Sequence, residues 1–117
     1  MSENIAGLTV GDWRGDGYKP VVTYGNWCCA ILNHAEKFDE KNLSYVERHP
    51  NTDEVFVLLE GEAELLIGME MKRVKMERGK MYNVSAGTYH QIITRPGTRV
   101  MIVESADVVD EVERLKG

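Results

Sequence analysis

The sequence predicts a small, nearly all-β domain, a barrel or sandwich of short strands. Two observations carry this. Short segments rich in β-branched and aromatic residues recur at intervals of roughly 8–12 residues, with Gly, Pro and Asn between them, which is the rhythm of a sandwich or barrel and not of βαβ units. The chain has 117 residues, 43% of them hydrophobic and 28% charged, enough for one core and too few for a catalytic domain plus a regulatory one.

The segments follow in order. Residues 1–19 hold Gly7, Gly11, Gly15 and Gly17 and are expected to form an irregular arm, or a short helix followed by loops. The barrel is expected over 20–105. Residues 21–24 and 27–32 are β-rich and separated by Gly25-Asn26, a hairpin signal. Residues 34–42 are polar and loop-like. Residues 43–49 alternate in polarity up to a turn at Pro50-Asn51-Thr52-Asp53, and 55–60 are apolar on both faces. After Gly61, residues Ala63, Leu65 and Ile67 occupy alternate positions up to Gly68. The charged segment 71–77, with Lys72, Arg73 and Lys75, suits a solvated edge strand. Segments 80–84, 90–95 and 99–104 complete the set. At the end of the chain Val108, Val109, Val112 and Leu115 recur at helical spacing, with Asp107 as an N-cap and Arg114 and Lys116 in the last turn. A C-terminal helix is therefore expected over 107–116.

Composition removes several functions. No apolar run approaches the ~20 residues of a membrane span, and Met1-Ser2-Glu3-Asn4 lacks the basic-then-apolar pattern of a secretion signal, so a cytoplasmic location and no membrane partner are expected. The formal net charge is −5, with no basic cluster flanked by aromatics, which argues against nucleic acid. Cys28 and Cys29 are adjacent and point to opposite faces of a strand, so they read as two small hydrophobes and not as a redox pair. His34, in a polar loop, reads as a solvated histidine. No nucleophile elbow, P-loop or dinucleotide fingerprint is present.

The chemistry concentrates around the Pro50–Asp53 turn. If that turn closes an antiparallel hairpin, His49 lies opposite Glu54, on the same face as Glu47, Tyr45, Phe56 and Leu58. Buried charges need partners, and a metal ion is the most economical common partner for two carboxylates and an imidazole. A second imidazole, His90, opens the strand that follows a turn centred on Gly87. If the sheet closes, His90 meets His49 and Glu54 inside. Two histidines and one carboxylate with open positions suit Fe(II), Mn, Ni or Zn. Glu47 is open to three readings: ligand, acid–base group, or buried residue paired with a cation. Tyr45, Tyr82 and Phe56 are candidates to line a substrate pocket.

Both stretches resemble the two signature motifs of the cupin superfamily. The first motif runs Gly, five residues, His-x-His, three or four residues, Glu, six residues, Gly; His49, Glu54 and Gly61 match its second half. The second runs Gly, five residues, Pro-x-Gly, two residues, His, three residues, Asn; Gly79, Gly87 and His90 match it at the right spacing. The chain departs from the pattern at Lys41 for the opening Gly, Glu47 for the first His, Ser85 for Pro and Thr94 for Asn.

The resemblance, covering roughly residues 43–95, implies a cupin jelly-roll barrel in which two packed antiparallel sheets form a short barrel. It also implies a divalent transition metal on His49, Glu54 and His90, with Glu47 as a carboxylate substitute for the missing imidazole, and a homodimer. The function expected is a metal-binding cupin acting on a small polar metabolite, a sugar or an organic acid. As an enzyme it would be an isomerase, lyase or oxygenase, with Glu47 or Tyr82 as the acid–base group. The alternative is a non-catalytic small-molecule-binding or sensor cupin without a bound metal.

Overall fold

The computed structural model describes residues 5–115. Among these the chain forms ten strands: β1 (Gly17–Tyr24), β2 (Trp27–Asn33), β3 (Tyr45–Arg48), β4 (Glu54–Glu60), β5 (Ala63–Ile67), β6 (Lys72–Lys75), β7 (Met81–Val84), β8 (His90–Thr94), β9 (Arg99–Ser105) and β10 (Glu111–Arg114). Two short 3₁₀ turns, Glu36–Phe38 and Glu40–Asn42, occupy the polar stretch before β3.

The strands make two five-stranded sheets, ordered β1-β2-β9-β4-β7 and β10-β3-β8-β5-β6, and every pairing is antiparallel. From β3 to β5 the chain changes sheet at each connection. Gly61 makes the β4–β5 change possible. It has φ +83°, and a Cβ there would stand 2.5 Å from the Thr98 Cα, so the position needs both left-handed backbone and empty space.

The core between the sheets is built by strict alternation. Phe56 and Leu58 of β4 face Ile102 and Val100 of β9, their register partners; Ala30, Leu32, Leu65 and Ile92 fill the layer. The same inward rows end in polar residues: Glu54 precedes Phe56 on β4, Glu104 follows Ile102 on β9, and His90 precedes Ile92 on β8, all three buried. One end of the interior is thus apolar and the other carries the ionisable groups.

β6 is the exposed, cationic edge strand that its charge pattern suggests. β1 starts at Gly17, before the expected barrel boundary at residue 20. Pro20 sits within it at a register shift, where a missing N–H is tolerated. Residues 1–4 of the expected arm lie outside the described residues. Cys28 is buried and Cys29 half-buried, and neither is in a disulfide.

Two expectations are corrected. The C-terminal segment is not a helix: residues 111–114 are strand β10, pairing with β3 from Glu111↔Arg48 to Arg114↔Tyr45. Lys116, the end of the expected helix, lies outside the described residues. A ten-residue helix is marginal in water, whereas the unpaired edge of β3 offers backbone donors and acceptors to an extended partner. The Arg48–Glu111 ion pair at 2.7 Å joins the two strands. The second correction concerns the Pro50–Asp53 turn, which does not close a hairpin, because β3 and β4 belong to opposite sheets.

Candidate metal centre

The 50–53 turn carries the chain across the barrel mouth, so His49 and Glu54 face each other through the interior rather than along a ladder. The outcome for the side chains is the contact expected on other grounds. His49 Nε2 lies 3.0 Å from Glu54 Oε1, and His90 Nε2 lies 2.9 Å from the same oxygen. Glu47 and His90 are register partners on β3 and β8, which puts both on the inner face.

The loops that present these groups are tied together. Asp53 accepts from the Ala86 N–H at 2.8 Å and from Asn83 Nδ2 at 3.1 Å, and the Gly87 N–H donates to the His49 carbonyl at 3.0 Å. The turn before Glu54 and the turn before His90 are therefore one hydrogen-bonded unit. Asn51 holds the segment after β9, donating to the Asp107 carbonyl and accepting from the Val109 N–H.

The outer nitrogens of both rings are committed. His90 Nδ1 lies 2.9 Å from the Thr88 carbonyl. His49 Nδ1 lies 2.9 Å from Asp110 Oδ1 and 3.3 Å from the Val109 carbonyl. These oxygens only accept, so each Nδ1 carries a proton and each neutral ring offers its Nε2 lone pair to the cavity. Two lone pairs then converge on a carboxylate oxygen, which is stable only with protons or a cation among them.

The residues fit a divalent ion. Neighbouring donors each about 2.1 Å from one ion stand about 3.0 Å apart, as the two imidazoles stand from Glu54. The donor atoms of His49, Glu54 and His90 all lie within 4.8 Å of one another, as do those of Glu47, His49 and Asp110.

The electrostatics follow from burial and proximity. Burial alone would suppress charge on His49, but the Glu54 hydrogen bond and the charges of Glu54, Glu47 and Glu104 outweigh it and lift its pKa to about 9. For Glu54 burial pushes upward, yet hydrogen bonds from both histidines hold its carboxyl down at about 2. His90 is likewise raised, burial opposing and Glu54 prevailing. Glu104 is pushed up to about 7 by burial and by the Glu54 charge beside it. Glu47 is raised by burial, which the neighbouring imidazoles only partly offset.

A cavity of about 270 Å³ opens above this cluster, just under the ~300–1,000 Å³ typical of drug-sized ligands. Tyr45, Phe56, Ile102 and Gln91 contribute to its wall, with Glu47, His49, Glu54 and His90 among its polar groups. The Phe56 and His90 rings meet edge to face at 5.8 Å. Tyr82 is not part of this wall. It lines a separate depression with Leu65 and Val74, and its hydroxyl accepts from the Glu77 N–H at 2.8 Å. His34 is half-buried, its Nδ1 2.7 Å from Thr94 Oγ1.

Glu104, Tyr18 and Asp110, all lining the cavity, escaped the sequence analysis. Glu104 had a signal: it is in phase with Val100 and Ile102, so a charged residue falls in a buried row. Tyr18 was obscured by the Gly-rich surroundings of β1. Asp110 had none, because its contact with His49 depends on the chain crossing the mouth and not on local pattern.

Comparison with known proteins agrees with the fold. The cupin-domain family matches residues 38–105, more than half of the chain, and the chain belongs to that family. Among solved structures it resembles a cupin-2 domain protein from Shewanella frigidimarina (TM-score 0.62, 18% identity, covering 80% of this chain and 84% of that one). It also resembles the polyketide cyclase RemF from Streptomyces resistomycificus (TM-score 0.64, 11% identity, 100% and 87%). A third is Fe(II) HppE in complex with substrate (TM-score 0.60, 16% identity, 74% and 51%), of which the chain spans about half the length. At these identities the likeness is one of fold alone. No curated protein sequence matches significantly. Among the described residues no helix is long and apolar enough to cross a membrane.

Proposed function

We propose that this chain is a metal-dependent cupin that acts on a small polar metabolite, a sugar or an organic acid, in the cavity above His49, Glu54 and His90. The observation that carries it is the convergence of two Nε2 atoms on one carboxylate oxygen, with both Nδ1 atoms anchored to acceptors outside. A divalent Fe, Mn, Ni or Zn ion held there supplies Lewis-acid polarisation of a substrate oxygen or, for iron, O₂ chemistry.

The chain's own residues supply the rest. Thr88 and Asp110 fix the ring orientations. Phe56, Tyr45 and Ile102 exclude water from one side of the cavity. Glu47, half-buried at the cavity wall, is the proton acceptor and donor. Burial raises its carboxyl from the ordinary value, which favours the protonated form and so helps it return a proton as well as take one. Tyr82, outside the wall, contributes no proton in this scheme.

A second reading, a non-catalytic binding or sensor cupin, is favoured by one feature. The Glu54 carboxylate is already bonded by both imidazoles when these are protonated, so the cluster is satisfied without an ion. Elemental analysis of tag-free protein beside His90→Ala separates the two. Near-stoichiometric metal that falls in a folded variant supports the metal reading. Absence of metal after reconstitution leaves the binding reading.

A further inference from the structure

We infer that Glu104 is a fourth protein donor to the ion, completing a set of two imidazoles and two carboxylates, and that Tyr18 is the positioning residue that aims it. This rests on the metal reading above.

Glu104 lies on β9 in the inward row of Val100 and Ile102 and is 6% exposed. Its two oxygens have different fates. Oε2 accepts a hydrogen bond from the Tyr18 hydroxyl. Oε1 is buried and has no hydrogen-bond partner among the described residues, yet it faces the metal cluster, 4.0 Å from His49 Nε2. A buried carboxylate oxygen without a partner is unfavourable unless something neutralises it. Glu54 can accept from Glu104 only while Glu104 holds a proton; once both are ionised the two carboxylates repel each other. The imidazole N–H groups nearby are spent on Glu54, Thr88 and Asp110. A cation among His49, His90 and Glu54 satisfies the orphan oxygen. Two donors each about 2.1 Å from one ion stand at most about 4.2 Å apart, and the His49–Glu104 separation is within that.

Glu47 stands at a similar 3.9 Å from His49 Nε2, at the position where the family motif has its first histidine. The two differ in surroundings. The Glu47 side chain keeps 24% of its surface in solvent, so water can serve its oxygens, whereas Glu104 Oε1 has only the cavity. Tyr18 fixes the choice of oxygen: by donating to Oε2 it turns Oε1 inward. Two carboxylates also balance the charge of a dication in an interior site, and the oxygen-rich set suits Fe(II) or Mn(II).

The test uses Co²⁺ as the probe on the metal-stripped full chain, with affinity from chelator competition and the visible d–d absorption as a signature of coordination. Glu104→Gln, nearly isosteric, is expected to weaken Co²⁺ binding about tenfold or more and to change the spectrum. Tyr18→Phe is expected to weaken it several-fold with the spectrum preserved, since the donor remains but is less well aimed. Glu47→Gln is expected to change affinity less than Glu104→Gln does. Native-like affinity and spectrum in Glu104→Gln overturn the inference while His90→Ala still loses Co²⁺, which leaves the metal reading standing. No Co²⁺ binding by the native chain overturns both. Should Glu104→Gln fail to fold, a crystal structure of the Co²⁺-loaded native chain decides. Oε1 within about 2.3 Å of the ion supports the assignment, and Oε1 beyond 3 Å or so refutes it.

Discussion

The His49–Glu54 contact makes a quantitative demand on the metal-free protein. His49 is held protonated from its ordinary 6.5 up to about 9, and the side chain is 7% exposed, so screening by solvent is slight. A group whose folded pKa lies above its unfolded value contributes stability that is fully present below the unfolded pKa and is lost as pH rises through the folded one. The contribution is on the order of 3 kcal/mol. It is present at pH 6 and gone by about pH 9.5, the loss falling between 6.5 and 9. With a urea slope of about 2 kcal/mol/M, the midpoint falls by roughly 1.5 M across that window.

The depressed Glu54 carboxyl expresses the same interaction from its other side, so the two contributions are not added. Glu104, raised to about 7, also lowers stability as it ionises, but that loss is essentially complete near pH 7. Urea unfolding in excess chelator at pH 6, 7.5 and 9.5, beside His49→Gln, isolates the histidine. A midpoint that stays flat in the native chain between pH 7.5 and 9.5, or that falls equally in His49→Gln, refutes the argument. Metal reverses the sign. An ion requires the neutral ring, so metal affinity rises with pH over the same interval, and each ion bound near pH 7.5 releases protons measurable in a weakly buffered titration.

Two further outcomes are expected. Glu47→His supplies the imidazole that the family pattern has at this position and is expected to tighten divalent-metal binding, by about tenfold in a chelator competition; weaker binding would mean that Glu47 holds another, fixed role. Gly61→Ala forces a side chain into left-handed backbone and against Thr98 and is expected to cost more than about 2 kcal/mol in urea unfolding, with unchanged metal stoichiometry in the folded fraction; a loss below about 0.5 kcal/mol would show that the β4–β5 connection shifts freely.

The local alphabet of this chain was sufficient for much of its structure. Alternation of apolar and polar residues is a property of each strand alone. For that reason the segments, the inward rows of Phe56, Leu58 and Leu65, and the cationic edge around Arg73 were legible without tertiary information. The spacings His49–Glu54–Gly61 and Gly79–Gly87–His90 were legible too, because a motif is a sequence of fixed distances along the chain.

Partnership between strands was not legible. Whether β3 pairs with β4 or crosses from it is decided by which surfaces bury more apolar area once both sheets exist. The proposed hairpin was therefore wrong although the His49–Glu54 contact was right. The C-terminal valines fit helical spacing, yet the free edge of β3, an object that exists only after the barrel closes, recruits residues 111–114 as a strand. The same crossing brings Asp110 to His49, and β9 brings Glu104 to the cluster from the far end of the sequence. Short-range pattern determined which residues of this protein are buried and which carry ionisable groups. Only the closed barrel decided which of those groups meet, because a contact between distant segments is stabilised by the whole packed interior and not by either segment alone.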